Sequence, residues 1–323
     1  MIRVGIFGTH GHTEKFIRML KESGCAEAAV LWNDHEEQGL RMAAALQLPY
    51  EPDYQKAIDA YGIDAAVVTV PAYMHHDIVI ALAAENRHIF LEKPLCVSLK
   101  EAEEMRAAVL SSTGKFFMSD PFVGSEVIEM RRLIREGRLG EITGADVRIC
   151  GSKNWNTFDI REQQGGIIAS IGGHGMHVLQ YLFGSPKSCC AVLQDASGHG
   201  TEDNCSVIFQ YSEAMNAVLQ TSWVSGGNTS RIAVYGTEGF ATAEASPDDP
   251  NPGRLCWTDR TKGIMSAELP PAPKDHISYF LKMIAEDLPN DIIGKADDSN
   301  HGVSIENAYE IVKMINMIYE EKR

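Results

Sequence analysis

The sequence predicts an α/β protein in two parts: a doubly wound parallel sheet over residues 1–120, then an α+β domain over 121–323 with a mainly antiparallel open sheet. Three observations predict it. In the first third, short apolar runs alternate with helical patterns of about a dozen residues, as parallel strands joined by right-handed crossovers require. After Asp120 the pattern changes to one long amphipathic helix and then to runs of period two divided by turns. Finally, 323 residues with 44% hydrophobic composition can fill two ordinary cores.

Arg3 to Phe7 reads as the first strand, and Gly8-Thr9-His10-Gly11-His12-Thr13 leads into a helix carrying Phe16, Ile17, Met19 and Leu20. A dinucleotide fingerprint asks for glycine at 8 and at 10 and a small residue at 13, so that backbone N–H groups can approach a pyrophosphate at the helix N-terminus. Here the later two places are His10 and Thr13, and Gly11 comes one residue late. The turn is therefore either a cofactor loop or a plain strand-to-helix connection. Ala28 to Trp32 is the second strand. The acid that commonly holds the adenosine ribose falls at Trp32, while Asp34, after Asn33, either reaches the ribose or caps the next helix. No arginine nearby awaits a 2′-phosphate, which favours NAD and leaves NADP possible.

The alternation continues with a helix around Asp53 to Tyr61, a strand from Ala65 to Val70, a helix to Asn86 and a strand from Ile89 to Leu91. Glu92-Lys93-Pro94 follows. Proline makes the chain turn there, and a lysine beyond the carboxyl end of a parallel strand can meet a substrate hydroxyl or a cofactor. Ser98 and Glu101 form a capping box before a helix to about Ser111, and Phe116 to Ser119 is the fifth strand.

In the second part, a helix from Ser125 to Glu136 ends at Gly137 and a strand runs from Gly144 to Cys150. Cys205 to Tyr211, Ala214 to Trp223 and Arg231 to Tyr235 read as neighbouring antiparallel strands. Trp155, in a polar loop, suits stacking on a sugar face or plain packing. His174 and His177 lie one turn apart on a helix that follows Gly165 to Gly173. They are core residues, site residues or two ligands of a metal whose other ligands the spacing does not give. Ser246 to Gly253 is a turn-rich stretch, and helices over Asp275 to Asp287 and Ser304 to Tyr319 are assigned a structural role.

Charge and cysteine usage narrow the partners. A formal net charge of −15 without a Lys/Arg block speaks against nucleic acid. The chain enters its first strand at once and has no apolar run long enough to span a bilayer, so a soluble, cytoplasmic protein without a membrane partner is expected. Seven cysteines, odd in number and without CxxC spacing, read as reduced core thiols.

Glu92-Lys93-Pro94, Pro71 through His75, Gly137-Arg138-Leu139-Gly140 and Gly165 through His174 together resemble motifs of one family, and the match runs end to end. It is the glucose–fructose oxidoreductase, inositol dehydrogenase and rhizopine catabolism (Gfo/Idh/MocA) family of NAD(P)-dependent enzymes. The resemblance implies a Rossmann domain and hydride transfer between nicotinamide and a sugar, inositol or related polyol. Lys93 and His174 would be catalytic at the reacting hydroxyl. Gly8, Thr9, His10, Gly11, His12, Trp32, Asn33, Asp34, Val70, Pro71, His75, Glu92 and Lys93 would bind the cofactor. Lys93, Asp120, Trp155, Ser170, His174 and His177 would meet the substrate, with no metal. A homo-oligomer, dimer or tetramer, is implied as well. The chain departs from the pattern at Ser170 and His177, where members often carry aspartates, and at His10. A non-catalytic nucleotide- or sugar-binding regulator of the same fold is the alternative.

Overall fold

The computed structural model describes residues 1–9, 11–120, 122–153, 165–245, 254–259, 261–269, 275–290 and 302–321. The chain forms two compact units, one of residues 1–120 with 274–312 and the other of residues 121–273 with 313–323.

The first unit holds five parallel strands, β1 (Ile2–Phe7), β2 (Ala26–Trp32), β3 (Ala65–Val68), β4 (His88–Glu92) and β5 (Phe116–Ser119), in the order β2-β1-β3-β4-β5. Its helices are α1 (Thr13–Ser23), α2 (Glu36–Leu46), α3 (Tyr54–Asp59), α4 (His75–Ala84) and α5 (Leu99–Ser111). All of Ala65 to Val68 is buried, because a parallel sheet is covered on both faces. Local chemistry starts the helices. Asp53 accepts the N–H groups of Gln55 and Lys56, and Ser98 accepts that of Glu101. The Glu101 carboxylate returns a bond to Val97 N–H, one residue earlier than the expected capping box places it.

The expected second domain of 121–323 is corrected by this division, because residues 274–312 belong to the first unit. Helix α8 (His276–Ala285; α6 and α7 are given below) puts Ile277, Phe280, Leu281 and Met283 into one core with Phe16, Phe90 and Phe117. Phe90 stacks on Phe117 at 5.6 Å and meets Phe280 edge-on at 5.6 Å. Val303 and Met118 then exchange backbone bonds of 2.9 and 3.0 Å. An apolar stripe shows that a helix will be buried but not against what, so sequence order misassigned this segment.

The second unit is built on an eight-stranded sheet. Its strands are β6 (Ile142–Ser152), β7 (Ser188–Gln194), β8 (Asn204–Gln210), β9 (Asn216–Ser222), β10 (Val224–Gly236), β11 (Phe240–Ala245), β12 (Arg254–Asp259) and β13 (Gly263–Ser266), ordered β13-β12-β11-β10-β6-β9-β8-β7. Helices α6 (Ser125–Arg135) and α7 (Gly173–Phe183) belong to this unit, and α9 (Ile305–Glu321) closes the chain. Ala145, Val147, Ile149, Ala217 and Leu219 form a buried sheet face. A Cβ on Gly175 of α7 would stand 2.3 Å from Leu219 Cδ1, so the missing side chain lets the helix sit close over that face. Val192 and Ile208 are exposed, 60% and 49%, so the sheet also presents apolar side chains to solvent.

The sheet is mainly antiparallel, as expected, and β8 and β9 are antiparallel neighbours, but β9 and β10 do not pair: β6 lies between them, antiparallel to β10 and parallel to β9. Between β6 and β9 in the chain come α7 and the strands β7 and β8, a crossover long enough to bring the chain back in the same direction. Strands β7, β11, β12 and β13 were also missed. The cysteines are unpaired, but only Cys96 and Cys205 are buried, while Cys25 and Cys190 are exposed, so the reading of all seven as core thiols is corrected. Burial pushes the Cys96 thiol up to about 12. Among the described residues, no helix is long and apolar enough to cross a membrane.

Candidate active site

Two arrangements, one in each unit, gather the candidate residues. In the first unit the carboxyl ends of β1 and β3 are adjacent, at the point where the strand order reverses. Gly8 has φ +109°, and a Cβ there would stand 2.6 Å from Val70 N, so only glycine fits the crossing. Gly11 has φ +54°, and its Cβ position opens on free space among the described residues. Thr13 fills the place of the fingerprint's last small residue; it is 1% exposed, and its hydroxyl lies 2.7 Å from that of Thr69. Thr9 Oγ1 donates to Asn33 Oδ1 at 3.0 Å and Asn33 Nδ2 donates to His35 O at 3.0 Å, which ties the loops after β1 and β2 together. His10 lies outside the described residues.

Trp32 is withdrawn from the site. Its ring packs edge-on to Tyr54 at 5.7 Å and its indole N–H donates to Pro52 O at 3.1 Å. Asp34 remains as the candidate for a ribose contact. It is not the cap of α2, because that place belongs to His35. Its Oδ2 lies 3.8 Å from His35 Nε2, while Oδ1 is buried and has no hydrogen-bond partner among the described residues. A buried acceptor without a donor suits a ribose hydroxyl, and the Gly8 crossing suits the close approach of a diphosphate. These residues therefore fit a dinucleotide.

His75 acts on the protein rather than on a ligand. It is 1% exposed, with Nδ1 2.8 Å from Pro94 O and Nε2 2.9 Å from Val70 O, and it clamps the loops after β3 and β4. Burial lowers its pKa against the raising influence of those carbonyls and Glu92. A neutral ring donates from only one of its nitrogens, so one carbonyl goes without that donor. Val70 is itself buried and Pro71 half-buried. Glu92 closes β4, with Oε1 3.0 Å from His12 Nδ1 and Oε2 accepting the Lys93 N–H at 3.0 Å. Lys93 follows, half-buried and joined to Pro94 by a cis bond, and its ammonium has no hydrogen-bond or ion-pair partner among the described residues. Asp120, 2% exposed, ends the first segment of this unit.

In the second unit Gly172 N–H donates to Ile167 O at 2.9 Å, five residues back, which makes a π turn over Ile168–Gly172 before α7. That turn holds Ser170, half-buried. His174 is 7% exposed and its ring stacks on Phe122 at 4.0 Å. His177, one turn on, is 1% exposed. The Gly165-Gly166 step is braced from behind. A Cβ on Gly166 would meet the Glu202 carboxyl at 2.1 Å, Ile167 N–H donates to Glu202 O at 2.9 Å, and Tyr319 O–H donates to Glu202 Oε1 at 2.5 Å. Trp155 lies outside the described residues.

Sequence reasoning missed Glu202 and Tyr319, which carry no motif, and it missed the His12–Glu92 pair because 80 residues separate the partners. Among the described residues no cluster of three or more His, Cys, Asp or Glu side chains suits a metal ion. A cavity of about 490 Å³ beside Glu129, Arg132 and Trp257 contains none of the candidate residues.

Comparison with known proteins gives the family and the fold. Residues 2–119 match the family model described as oxidoreductase family, NAD-binding Rossmann fold, and residues 127–242 match the GFO/IDH/MocA C-terminal domain. A 2,7-anhydro-N-acetylneuraminate hydratase of Escherichia coli is 26% identical over 74% of this chain and 66% of its own length. An inositol 2-dehydrogenase of Rhizobium meliloti is 29% identical over 57% of this chain and 58% of its own length. The chain thus spans less than two thirds of these curated relatives. The crystal structure of an inositol dehydrogenase homologue from Azotobacter vinelandii, complexed with NAD+, superposes with a TM-score of 0.79 at 19% identity, covering 99% of this chain and 94% of that one, and shares its fold.

Proposed function

The chain belongs to the GFO/IDH/MocA family of oxidoreductases with an NAD-binding Rossmann fold, and from that premise we propose that it transfers a hydride between nicotinamide and a sugar, inositol or related polyol. The observation that carries the reading is Lys93: it follows the last residue of β4 at the carboxyl edge of the sheet, its ammonium unpartnered among the described residues, in the same unit as the Gly8 crossing and the orphaned Asp34 oxygen. Gly8, Thr9 and Gly11 receive the diphosphate, and Asp34 accepts from the adenosine ribose. An acidic ribose contact without a nearby arginine favours NAD over NADP. The nicotinamide supplies the hydride donor or acceptor. Lys93 stabilises charge on the substrate oxygen and His174 takes or returns the hydroxyl proton. The protein works in the cytoplasm as a homo-oligomer on a small polyhydroxy compound, with neither nucleic acid nor membrane as partner.

The test is NADH and NADPH binding by fluorescence, followed by NADH formation from NAD+ with a panel of sugars and inositols. Lys93→Ala is expected to lower kcat by about two to four orders of magnitude while keeping dinucleotide affinity within a few fold. Because one relative is named a hydratase, products are also identified by mass; addition of water without net NADH formation would assign that chemistry instead. Ser170 favours one second reading, a nucleotide- or sugar-binding regulator, since a serine in the π turn supplies no charge to a proton relay. Tight dinucleotide binding with no turnover on any panel member would select it.

A further inference from the structure

Beside the glycine turn lies a pair of side chains that hydride transfer does not use. Glu92 Oε1 is 3.0 Å from His12 Nδ1, and Glu92 Oε2 is held by the Lys93 N–H at 3.0 Å. A carboxylate only accepts, so the Nδ1 proton is directed at Glu92 and Nε2 becomes the atom that gains or loses a proton. The Glu92 side chain is 18% exposed and that of His12 61%: the acid is held and the base faces outward. Nε2 has no partner among the described residues. His12 immediately precedes α1, one residue after Gly11, at the helix end that a diphosphate approaches. The pair has two charge states, one net negative charge with His12 neutral and none with His12 protonated.

We infer that His12 and Glu92 form a proton-linked clasp for the dinucleotide diphosphate. With His12 protonated the pair is neutral and Nε2–H donates to a phosphate oxygen; with His12 neutral the uncompensated Glu92 carboxylate repels the same group. The inference rests on the dinucleotide reading and gives that site its pH dependence. The charged groups around His12 oppose one another. Its hydrogen bond and charge interaction with Glu92 raise its pKa, while partial burial, Lys15 on α1 and Lys93 after β4 lower it, and the net effect is a rise above 6.5. The Phe16 ring, edge-on at 5.9 Å, brings no charge. A bound diphosphate raises the pKa further, so binding takes up a proton. Affinity is therefore greatest below the pKa of the free protein and falls as pH rises through the free and bound values.

The experiment is NADH titration by fluorescence from about pH 6 to about pH 9, beside His12→Asn and Glu92→Gln. Wild-type Kd is expected to rise about three- to tenfold across that range, the amount a pKa rise of about half to one unit on binding gives. His12→Asn should bind more weakly at the acid end with no such rise, and Glu92→Gln should move the rise to lower pH. Should a substitution disturb the turn, calorimetry of the wild type in two buffers of different ionisation enthalpy reads the proton uptake directly. Wild-type binding that is flat with pH and takes up no proton overturns the clasp and leaves the oxidoreductase reading standing. A rise that persists unchanged in folded His12→Asn assigns the proton elsewhere and overturns it too. If NADH binds at no pH, the oxidoreductase reading fails and the clasp with it.

Discussion

At the scale of single residues, Asp34 and His75 show how similar positions in sequence divide between ligand and scaffold. Asp34 keeps one carboxylate oxygen buried and unpartnered among the described residues. Asp34→Ala is expected to weaken NADH binding about tenfold or more, the worth of a hydrogen bond to a charged acceptor, while melting at an unchanged or higher temperature because an orphaned acceptor is removed. Calorimetric titration and a thermal scan check both halves. His75 spends its ring on the loops after β3 and β4. Its pKa in the fold is depressed by burial, so its contribution to stability is present above the unfolded value and is lost as pH falls through about 6.5 toward the folded value. Urea midpoints for wild type and His75→Gln should therefore converge as the pH drops from about 7.5 to about 5.5. Convergence on raising the pH would contradict that sign. Trp32 was read as a ligand contact from its place in a pattern, and packing took it inward.

At the scale of elements, the turn after β1 is decided by its neighbour in space. A Cβ on Gly8 would collide with Val70 N and Thr69 C at 2.6 and 2.8 Å, both backbone atoms that cannot swing aside, at a φ that L side chains avoid. Gly8→Ala is thus expected to cost about 2–4 kcal/mol of stability, measured by chemical denaturation, and to abolish NADH binding in whatever protein remains folded. The same substitution at Gly11, where a Cβ meets no described atom, carries only the conformational cost of about 1 kcal/mol. Helix α8 makes the complementary case. Phe280 is fully buried against Phe90 and Phe117, so Phe280→Ala should destabilise by about 3–5 kcal/mol although it is not itself a candidate site residue. The π turn over Ile168–Gly172 sets Ser170 in a segment with five-residue hydrogen bonding, which amphipathic counting does not register.

At the scale of the whole molecule, residues 274–312 complete the first unit, so a fragment of residues 1–120 lacks part of its own core. Such a fragment is expected to expose Phe90 and Phe117 and to bind a hydrophobic dye without a cooperative thermal transition, whereas a chain carrying both segments should melt cooperatively. A sharp melt of the fragment alone would overturn this account of the unit. The alternation of apolar runs with helical stretches was enough to determine five parallel strands, their connecting helices and the change of architecture after Asp120, since period and burial are local properties of the chain. The motifs at Pro71–His75, Glu92–Pro94, Gly137–Gly140 and Gly165–His174 likewise pointed to the family. Tertiary structure alone decided that β6 and β9 run parallel, that α8 joins the first core, that Trp32 packs on Tyr54 while Asp34 keeps one carboxylate oxygen without a partner among the described residues, and that His12 meets Glu92 across 80 residues. The physical reason is the same in each case: a side chain's periodicity fixes that it will be buried or paired, but its partner is whatever the fold brings within a few ångströms, and sequence distance carries no measure of that.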